Sequence, residues 1–473
     1  SQVCAVAQVA ITVALWFSYD QTKAGFQFAF ETAPLLPGLD LKVAFAADGL
    51  SLLLLVLTAF VTAGAVWMSP KLEKRQNIYD AFVLLISAGV TGAFASRDLF
   101  FFYAFHELAL IPTFLAIGLW GSGERQAAAW KITLYLALGS IILLIGLVDL
   151  MLAIPAAHRT FDLEKLQQVA SQNLIPATSQ LRPWCFLTVG FGILVSLFPF
   201  HSWAPSGYAS APTPVAMLHS GVLKKFGIYG MLRLVLPLLP QASSMPVLGN
   251  WTAQDLLLAA LIGNIIYIGL ATIAQRSLDY VIAYSSVMHM GYIYLGIAAA
   301  SGTKGSMIGL SGATLLVFAH GLSAATLFAV AGLIREKTGT LSLDRLGGCA
   351  KVLPFLGICF GMATFASIGL PGFANFASET LVLFGSFKTL TSNLGRTATL
   401  LALWGVVISS VYMLRAYKKT FLGQPSEVST RCIDLSGTSK IILGSMLLLL
   451  LAGGFFPKYF LSYVKPALEA ILH

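Results

Sequence analysis

Apolar runs long enough to cross a lipid bilayer recur along the whole chain, and they constrain its fold more than any other feature. A helix that spans the hydrocarbon core needs about 20 predominantly apolar residues, and it must satisfy its backbone hydrogen bonds internally. About thirteen segments meet this description, and we expect them to form an all-α polytopic membrane protein with a single transmembrane domain over residues 1–473. They cover residues 2–18, 49–68, 79–96, 99–120, 132–153, 184–204, 213–239, 254–274, 280–300, 307–333, 354–388, 397–414 and 440–463.

The composition agrees with a membrane protein. Of the 473 residues, 57% are hydrophobic and only 10% are charged, whereas about a quarter of the residues of a soluble domain carry charge. The net charge of +9 would suggest a nucleic-acid partner in a soluble protein. Here most basic residues lie in short loops between the apolar runs, which indicates membrane orientation instead. We therefore expect contact with lipids and no nucleic-acid partner.

The basic residues also predict which way the chain is inserted. The even-numbered loops carry more lysine and arginine than the odd-numbered loops and the C-terminal tail. The positive-inside rule then places the even loops in the cytoplasm and the C-terminus in the periplasm of a bacterial inner membrane. Residues 2–18 lack a basic start and a cleavage site, so they are interpreted as a span and not as a signal peptide. The stretch DLEKLQQVA at 162–170 predicts a short amphipathic surface helix.

No motif predicts a cofactor or a metal in this chain. None of the five cysteines forms a CxxC pair, and the seven histidines contain no HExxH. A glycine-rich nucleotide loop of the Walker or Rossmann type is also absent from the sequence.

Ionisable residues within the spans are the candidate functional residues, because such groups are costly in a membrane and mark ion pathways. They are Glu107, Asp149, Lys224, Lys225, Glu379 and the histidines His201, His219, His289 and His320. Lys131 and Arg233 lie near helix ends, where a long side chain can snorkel to the membrane surface. Burial penalises the charged form of carboxylates and lysines, so a row of them can exchange protons near neutral pH. The alternative is that each polar group only holds neighbouring helices together.

Two apolar runs contain helix breakers. Gly369, Pro371 and Gly372 interrupt the first, and Pro212 and Pro214 precede the double lysine of the second. Broken helices at membrane depth occur where they are buried or line a wet cavity, and transporters use them at ion sites.

Several motifs together resemble the antiporter-like subunits of respiratory complex I, and among these subunit M, which is chain 4 in mitochondria. The motifs are FAADGLSLLLL, FHELALIPTFLAIGLWG, AWKITLYLALGS, PFHSWAPSGYASAPTP, GVLKKFGIYGMLRL, IAYSSVMHMG, FAHGLSAATLF and GLPGFANFASETLVLFGSF. The resemblance implies fourteen transmembrane helices with two inverted five-helix repeats, each with one broken helix. We expect the repeats within 79–204 and 213–388 and the breaks in the spans of Lys225 and Gly372. VALWFSYD resembles the family's second helix, so we expect the first to be missing from this sequence.

The resemblance also implies a function and roles for particular residues. It implies a proton-translocating subunit of an NADH:quinone oxidoreductase, with FMN, iron–sulfur clusters and quinone held by partner subunits, among them other antiporter-like subunits. The implied proton relay consists of Glu107 in the uptake half, Lys225 at the centre, His289 and His320 as links, and Glu379 at the release end. Candidate supporting residues are Lys131, Lys224, Asp149, His201, His219 and Asp48.

The sequence departs from the family pattern at the partner of Glu107. The family has a lysine seven residues before the histidine of its P-x-H-x-W motif, and here that position is Leu194. Lys224 is extra beside Lys225. It either compensates for the missing lysine or faces water or a neighbouring subunit, because adjacent helical residues point about 100° apart. If neither holds, the uptake half is blocked and the subunit is partly structural.

Other members of the wider family leave further alternatives open. They are a subunit of an Mrp-type cation/proton antiporter, of a membrane-bound hydrogenase or of a bicarbonate-accumulating complex. The electron donor, the quinone and the choice between protons and sodium ions stay open from the sequence.

Overall fold

The computed structural model describes residues 1–472 except 24, 36–40, 303–304, 431–433 and 436. The N-terminal half of the chain contains eleven of the α-helices, which follow one another in a bundle. They are α1 (Gln2–Ser18), α2 (Gly49–Trp67), α3 (Gln76–Ala95), α4 (Leu99–Trp120), α5 (Arg125–Ala153), α6 (Leu163–Ser171), α7 (Leu181–Val195), α8 (Trp203–Ser210), α9 (Thr213–Leu218), α10 (Lys225–Gly230) and α11 (Leu236–Leu238).

The C-terminal half adds ten more α-helices. They are α12 (Ala253–Ile262), α13 (Gly269–Ile273), α14 (Leu278–Ala300), α15 (Met307–Thr338), α16 (Cys349–Val352), α17 (Pro354–Ile368), α18 (Ala374–Thr389), α19 (Asn393–Phe421), α20 (Thr438–Phe455) and α21 (Pro457–Leu472).

Short elements complete the chain. Two antiparallel hairpins lie in loops, one formed by β1 (Gln27–Glu31) with β2 (Ala44–Ala47) and one by β3 (Pro246–Leu248) with β4 (Trp251–Thr252). The π-helical turns are His219–Leu223, Met231–Val235 and Gly263–Ile268, and the 3₁₀ turns are Ala156–His158, Ala177–Ser179 and Ala242–Ser244.

The predicted all-α membrane fold is confirmed. Within the described ranges, nine helical segments are long and apolar enough to cross a bilayer. The other four predicted spans, 2–18, 184–204, 213–239 and 354–388, contain helices that are shorter or interrupted. Irregular helices of this kind are tolerated at membrane depth when the surrounding protein buries them.

Three helices form the centre of the bundle. In α14 and α15, 94% of the most apolar stretch is buried inside the protein, and in α2 the share is 89%. In α19, by contrast, the share is only 39%. The central helices therefore carry side chains that lipid cannot reach, and α14 and α15 bring His289 and His320 into this interior.

Aspartates fix where several helices begin. Asp48 accepts from the backbone N–H of Ser51 at the start of α2, and Asp98 accepts from those of Phe100 and Phe101 at the start of α4. Such N-caps satisfy backbone donors that the first helical turn leaves free.

One predicted break is confirmed and the other is wrong. The chain leaves the helix between α17 and α18, where Gly369 and Gly372 have φ of +79° and +101°. The Lys225 span, however, stays helical over 213–238, because two π-helical turns keep its backbone bonded and Pro214 lies in the first turn. The other break lies at 196–202, between α7 and α8, where Ser196 has a left-handed φ of +67°.

The structure confirms the predicted surface helix and shortens the last predicted span. The amphipathic helix predicted at 162–170 is confirmed as α6. The last predicted span, 440–463, is too long: α20 ends at Phe455, and α21 then packs against the start of the bundle, with the Tyr463 ring stacked 4.1 Å from Trp16.

Close backbone packing at the centre generates a stability prediction. A Cβ at Gly321 on α15 would lie 2.7 Å from the backbone oxygen of Gly221 and as close to Leu57. We expect Gly321→Ala to lower the free energy of unfolding by about 1–3 kcal/mol, because the two backbones must separate. Thermal unfolding in mild detergent measures the loss.

Gly444→Ala on α20 is the matched control, since no atom lies within 4 Å of its added Cβ. An equal melting temperature for Gly321→Ala and wild type would contradict the packing described here.

Candidate functional site

A row of polar side chains crosses the apolar centre of the bundle. Its members come from the Lys225 span, α14, α15 and α18, and every one of them is at most 5% exposed. We call them the polar row: Lys224, Ser286, Ser220, Lys225, His320, His289 and Glu379.

Lys225 lies at the middle of the polar row. Its Nζ donates to the backbone oxygen of Ser220 at 2.7 Å and lies 2.8 Å from Nδ1 of His320. The acceptor is five residues back, in the π-helical turn 219–223, where the wider turn presents the Ser220 carbonyl to the lysine. A proton can therefore pass between an amine and an imidazole that are already hydrogen-bonded.

Lys224 points to a different partner. Its Nζ donates to the hydroxyl of Ser286 at 2.8 Å and to the Ser286 carbonyl at 3.0 Å, and the Ser286 hydroxyl lies 2.8 Å from that of Ser220. The two hydroxyls thus form a hydrogen-bonded link from the Lys224 amine to Ser220, whose carbonyl accepts from Lys225. Lys224 is only 1% exposed, so the prediction that it faces water or a neighbouring subunit is wrong.

His289 continues the row from His320, with the two ring centroids 5.7 Å apart. Its Nδ1 lies 2.7 Å from the carbonyl of Ser285, and its Nε2 lies 2.8 Å from that of Ser367. A carbonyl only accepts, and an imidazole donates from both nitrogens only when it carries a second proton. The two carbonyls therefore accommodate a transferred proton at His289.

Glu379 forms the far end of the row. Its Oε1 lies 3.9 Å from Nε2 of His289. The carboxylate faces the break between α17 and α18, since a Cβ at Gly369 would come within 2.4 Å of the other carboxylate oxygen. The glycine thus provides both a left-handed turn and the space that the glutamate occupies.

Glu107 lies apart from the polar row. Its side chain is 36% exposed, lies 3.5 Å from Nδ1 of His106, and faces a cavity of about 220 Å³ between α4 and α5. Leu194 is buried against α5, where its side chain meets Gly139. No hydrogen bond or ion pair that the structure describes joins Glu107 to Lys224 or Lys225, so the lysines do not form its missing partner directly.

Three other candidates also lie outside the row. Asp149, near the end of α5, accepts hydrogen bonds from Arg182 of α7. His201 stacks on Phe198 in the break between α7 and α8. Lys131 lines a cavity at one end of the bundle. The structure thus does not bring these three to the lysines.

Asp48 forms a buried ion pair outside the polar row. Arg233 of the Lys225 span donates to the Asp48 carboxylate, and the exposed fractions of the two side chains are 1% and 4%. The guanidinium also lies over the rings of Phe26 and Tyr229, 5.1 and 5.0 Å from their centroids. The prediction that Arg233 snorkels is wrong, because a buried aspartate holds its charge inside the bundle.

Sequence reasoning missed several polar residues of this interior. Tyr208 lies under Lys224, and Asn375 lies one helical turn before Glu379 with both amide atoms unpaired among the described residues. The sequence does give a signal for Asn375, since an amide within an apolar run must have hydrogen-bond partners or a function. The sequence gives no such signal for Tyr208, because a tyrosine in the stretch SGYAS is typical of an ordinary packed helix.

The described residues contain no group of three or more histidine, cysteine, aspartate or glutamate side chains that could hold a metal ion.

Known proteins resemble this chain in sequence and in architecture. Residues 96–409 match the family described as NADH:quinone oxidoreductase/Mrp antiporter, TM. NAD(P)H-quinone oxidoreductase chain 4 2 of Thermosynechococcus vestitus is 33% identical over 451 residues, which cover 94% of this chain and 80% of the relative. NAD(P)H-quinone oxidoreductase chain 4 of Gloeobacter violaceus is 32% identical over 476 residues, covering 99% and 86%.

Solved structures of known proteins have the same fold. A chain of respiratory complex I from Thermus thermophilus superposes with a TM-score of 0.86 at 29% identity, covering 100% of this chain and 94% of that one. A chain of the Mrp complex from Dietzia sp. DQ12-45-1b superposes with a TM-score of 0.80, covering 100% and 93%. Its identity of 20% shows a shared fold alone.

The buried ion pair generates the next prediction. We expect Arg233→Met to lower the free energy of unfolding by about 3–5 kcal/mol, because it leaves the Asp48 carboxylate buried without a partner. The double variant Asp48→Asn/Arg233→Met should regain part of that loss. Thermal unfolding of the detergent-solubilised protein measures both.

Lys419→Met serves as the control, since Lys419 and its partner Asp344 are both exposed, at 46% and 55%, and their pair should contribute about 1 kcal/mol or less. Equal destabilisation by Arg233→Met and Lys419→Met would contradict the structural role given to Arg233.

Proposed function

Because the chain belongs to the NADH:quinone oxidoreductase/Mrp antiporter membrane family, we propose that it is a proton-translocating subunit of a complex I-like NADH:quinone oxidoreductase. Two observations support the proposal. The curated relatives that cover most of the chain are named NAD(P)H-quinone oxidoreductase chain 4. The polar row supplies a buried series of proton-exchanging groups. Its Lys225–His320 hydrogen bond is the observation that supports proton transfer most strongly.

Each step in this proposal is a proton transfer between neighbouring groups. The ammonium of Lys225 gives a proton to Nδ1 of His320, with which it is already hydrogen-bonded at 2.8 Å. The proton next reaches His289, whose ring lies 5.7 Å away between centroids, so a small reorientation or a water molecule bridges the two. Glu379 takes it from His289 across 3.9 Å and releases it at the α17–α18 break.

Electrostatics couples these steps. Burial makes every unpaired charge in the row costly, so adding a proton at one end favours losing one from the other. A change in a neighbouring subunit that moves a charge near either end would therefore drive protons through the row.

The redox chemistry belongs to other subunits in this proposal. FMN, iron–sulfur clusters and quinone would be held by partners, and this chain would convert a distant quinone-linked event into proton movement. Other antiporter-like subunits and lipids would cover its apolar outer faces. We propose the bacterial inner membrane as its location, with the C-terminus in the periplasm.

The first functional test removes the carboxylate at the far end of the row. Glu379→Gln keeps the shape of the side chain but cannot exchange a proton, so we expect fewer protons pumped per quinone reduced by the intact complex. The measurement uses the purified complex in liposomes, with a pH-sensitive dye and quinone reduction followed together.

Glu469→Gln is the matched control, because Glu469 lies on the exposed face of α21, paired with Lys465. Unchanged pumping by Glu379→Gln, with the complex assembled, would contradict a proton-conducting row.

A second test separates the oxidoreductase from its alternatives. We expect the native protein, captured in mild detergent, to bring down flavin and iron–sulfur subunits together with a quinone-binding membrane chain. Capture of antiporter subunits, of a hydrogenase or of a bicarbonate-accumulating partner alone would retain the fold and overturn the proposed function.

A further inference from the structure

A cavity of about 340 Å³ opens at one end of the bundle, where the loop between α4 and α5 meets α5, α8 and α14. Lys131, Glu124 and Asp279 contribute charged side chains to its wall. Arg335 donates to two of the lining residues, to Asp279 at 2.5 Å and to the backbone oxygen of Ala209 at 3.3 Å. We call this cavity the vestibule. A polar lining of this kind suits a cavity that holds water at the edge of the apolar interior.

Helix α8 lies between the vestibule and the buried interior. Ser206 and Ser210 of this helix line the cavity. Tyr208 lies two residues from each of them, which places it on the opposite side of the helix, and it is only 2% exposed. The short helix therefore carries hydroxyl groups from the vestibule wall to a buried position.

Tyr208 packs against two groups with exchangeable protons. Its ring centroid lies 5.3 Å from that of His219 and 5.7 Å from Nζ of Lys224. Within the described part of the chain, neither the Tyr208 hydroxyl nor either nitrogen of His219 has a hydrogen-bond partner. Buried polar atoms without partners are rare and point to a function or to bound water.

The path from Glu107 across position 194 lacks such groups. Leu194 and Ile193 fill the space against Gly139 of α5, and Glu107 faces a cavity whose other lining residues are apolar except for two threonines. An aliphatic side chain at position 194 can neither accept nor donate a proton.

We propose that protons enter the polar row of this chain from the vestibule, through Tyr208 and His219 to Lys224, and not from Glu107 across Leu194. This inference rests on the proposed function, since it identifies the proton uptake path of the same row. It also assigns a role to Lys224: the amine receives the proton and passes it through the Ser286 and Ser220 hydroxyls towards Lys225.

The chemistry of the path is proton transfer alone. A hydronium ion in the vestibule gives up a proton and becomes neutral water. Bound water beside α8 passes that proton to the Tyr208 oxygen while the phenol releases its own proton to His219. The imidazole accepts at one nitrogen and donates from the other, and the Lys224 amine becomes an ammonium. Only O–H and N–H bonds form and break, so no oxidant or reductant takes part.

The deciding variant is Tyr208→Phe in the intact complex, reconstituted in liposomes. It removes one oxygen atom that has no partner, so the fold loses no hydrogen bond and should keep its stability. We expect the protons pumped per quinone reduced to fall as far as they do in Glu379→Gln, and His219→Leu to cause the same loss. Quinone reduction with the membrane uncoupled checks assembly.

Tyr294→Phe is the matched control, because the Tyr294 hydroxyl is also buried and unpaired, and no hydrogen bond or ring contact among the described residues joins Tyr294 to the polar row. Normal pumping by Tyr208→Phe, with a loss in Glu107→Gln, would overturn the inference and leave the proposed function standing. Normal pumping by Glu379→Gln would instead overturn the proposed function, and the inference with it.

Discussion

The hydrogen bond between Lys225 and His320 is the interaction on which the functional interior depends. It joins the irregular 213–238 span to α15, the longest of the helices at the centre of the bundle. An ammonium group cannot lie in an apolar interior unpaired without a large penalty. The 2.8 Å contact between Nζ and Nδ1 therefore gives the lysine a base to share its proton with, and the neighbouring groups extend this sharing in both directions.

Irregular backbone makes this arrangement possible. The π-helical turn 219–223 offers the Ser220 carbonyl to Lys225, and the break before α18 gives Glu379 its space beside Gly369. Two of the chain's departures from regular helical geometry thus lie directly beside members of the polar row.

Much of this could be predicted from the sequence, because apolar runs and isolated charges are strong signals in a membrane protein. Glu379, His289, His320 and Lys225 were identified as candidates, and the structure places all four in one row. The path of the 213–238 span was not predictable, since a π-helical turn changes the direction of each following side chain without leaving a residue signature. For the same reason the partner of Lys224, which is Ser286, could not be foreseen. Glu107 was identified by its motif, but the leucine at 194 leaves it apart from the lysines.

The number of protons pumped per quinone reduced tests whether protons pass through Lys225. It is measured on the reconstituted complex that carries Lys225→Met, which keeps an unbranched side chain one atom shorter and removes the exchangeable protons. We expect a lower ratio than in the wild type, with quinone reduction intact when the membrane is uncoupled. A ratio equal to that of the wild type, in a fully assembled complex, would show that protons do not pass through Lys225.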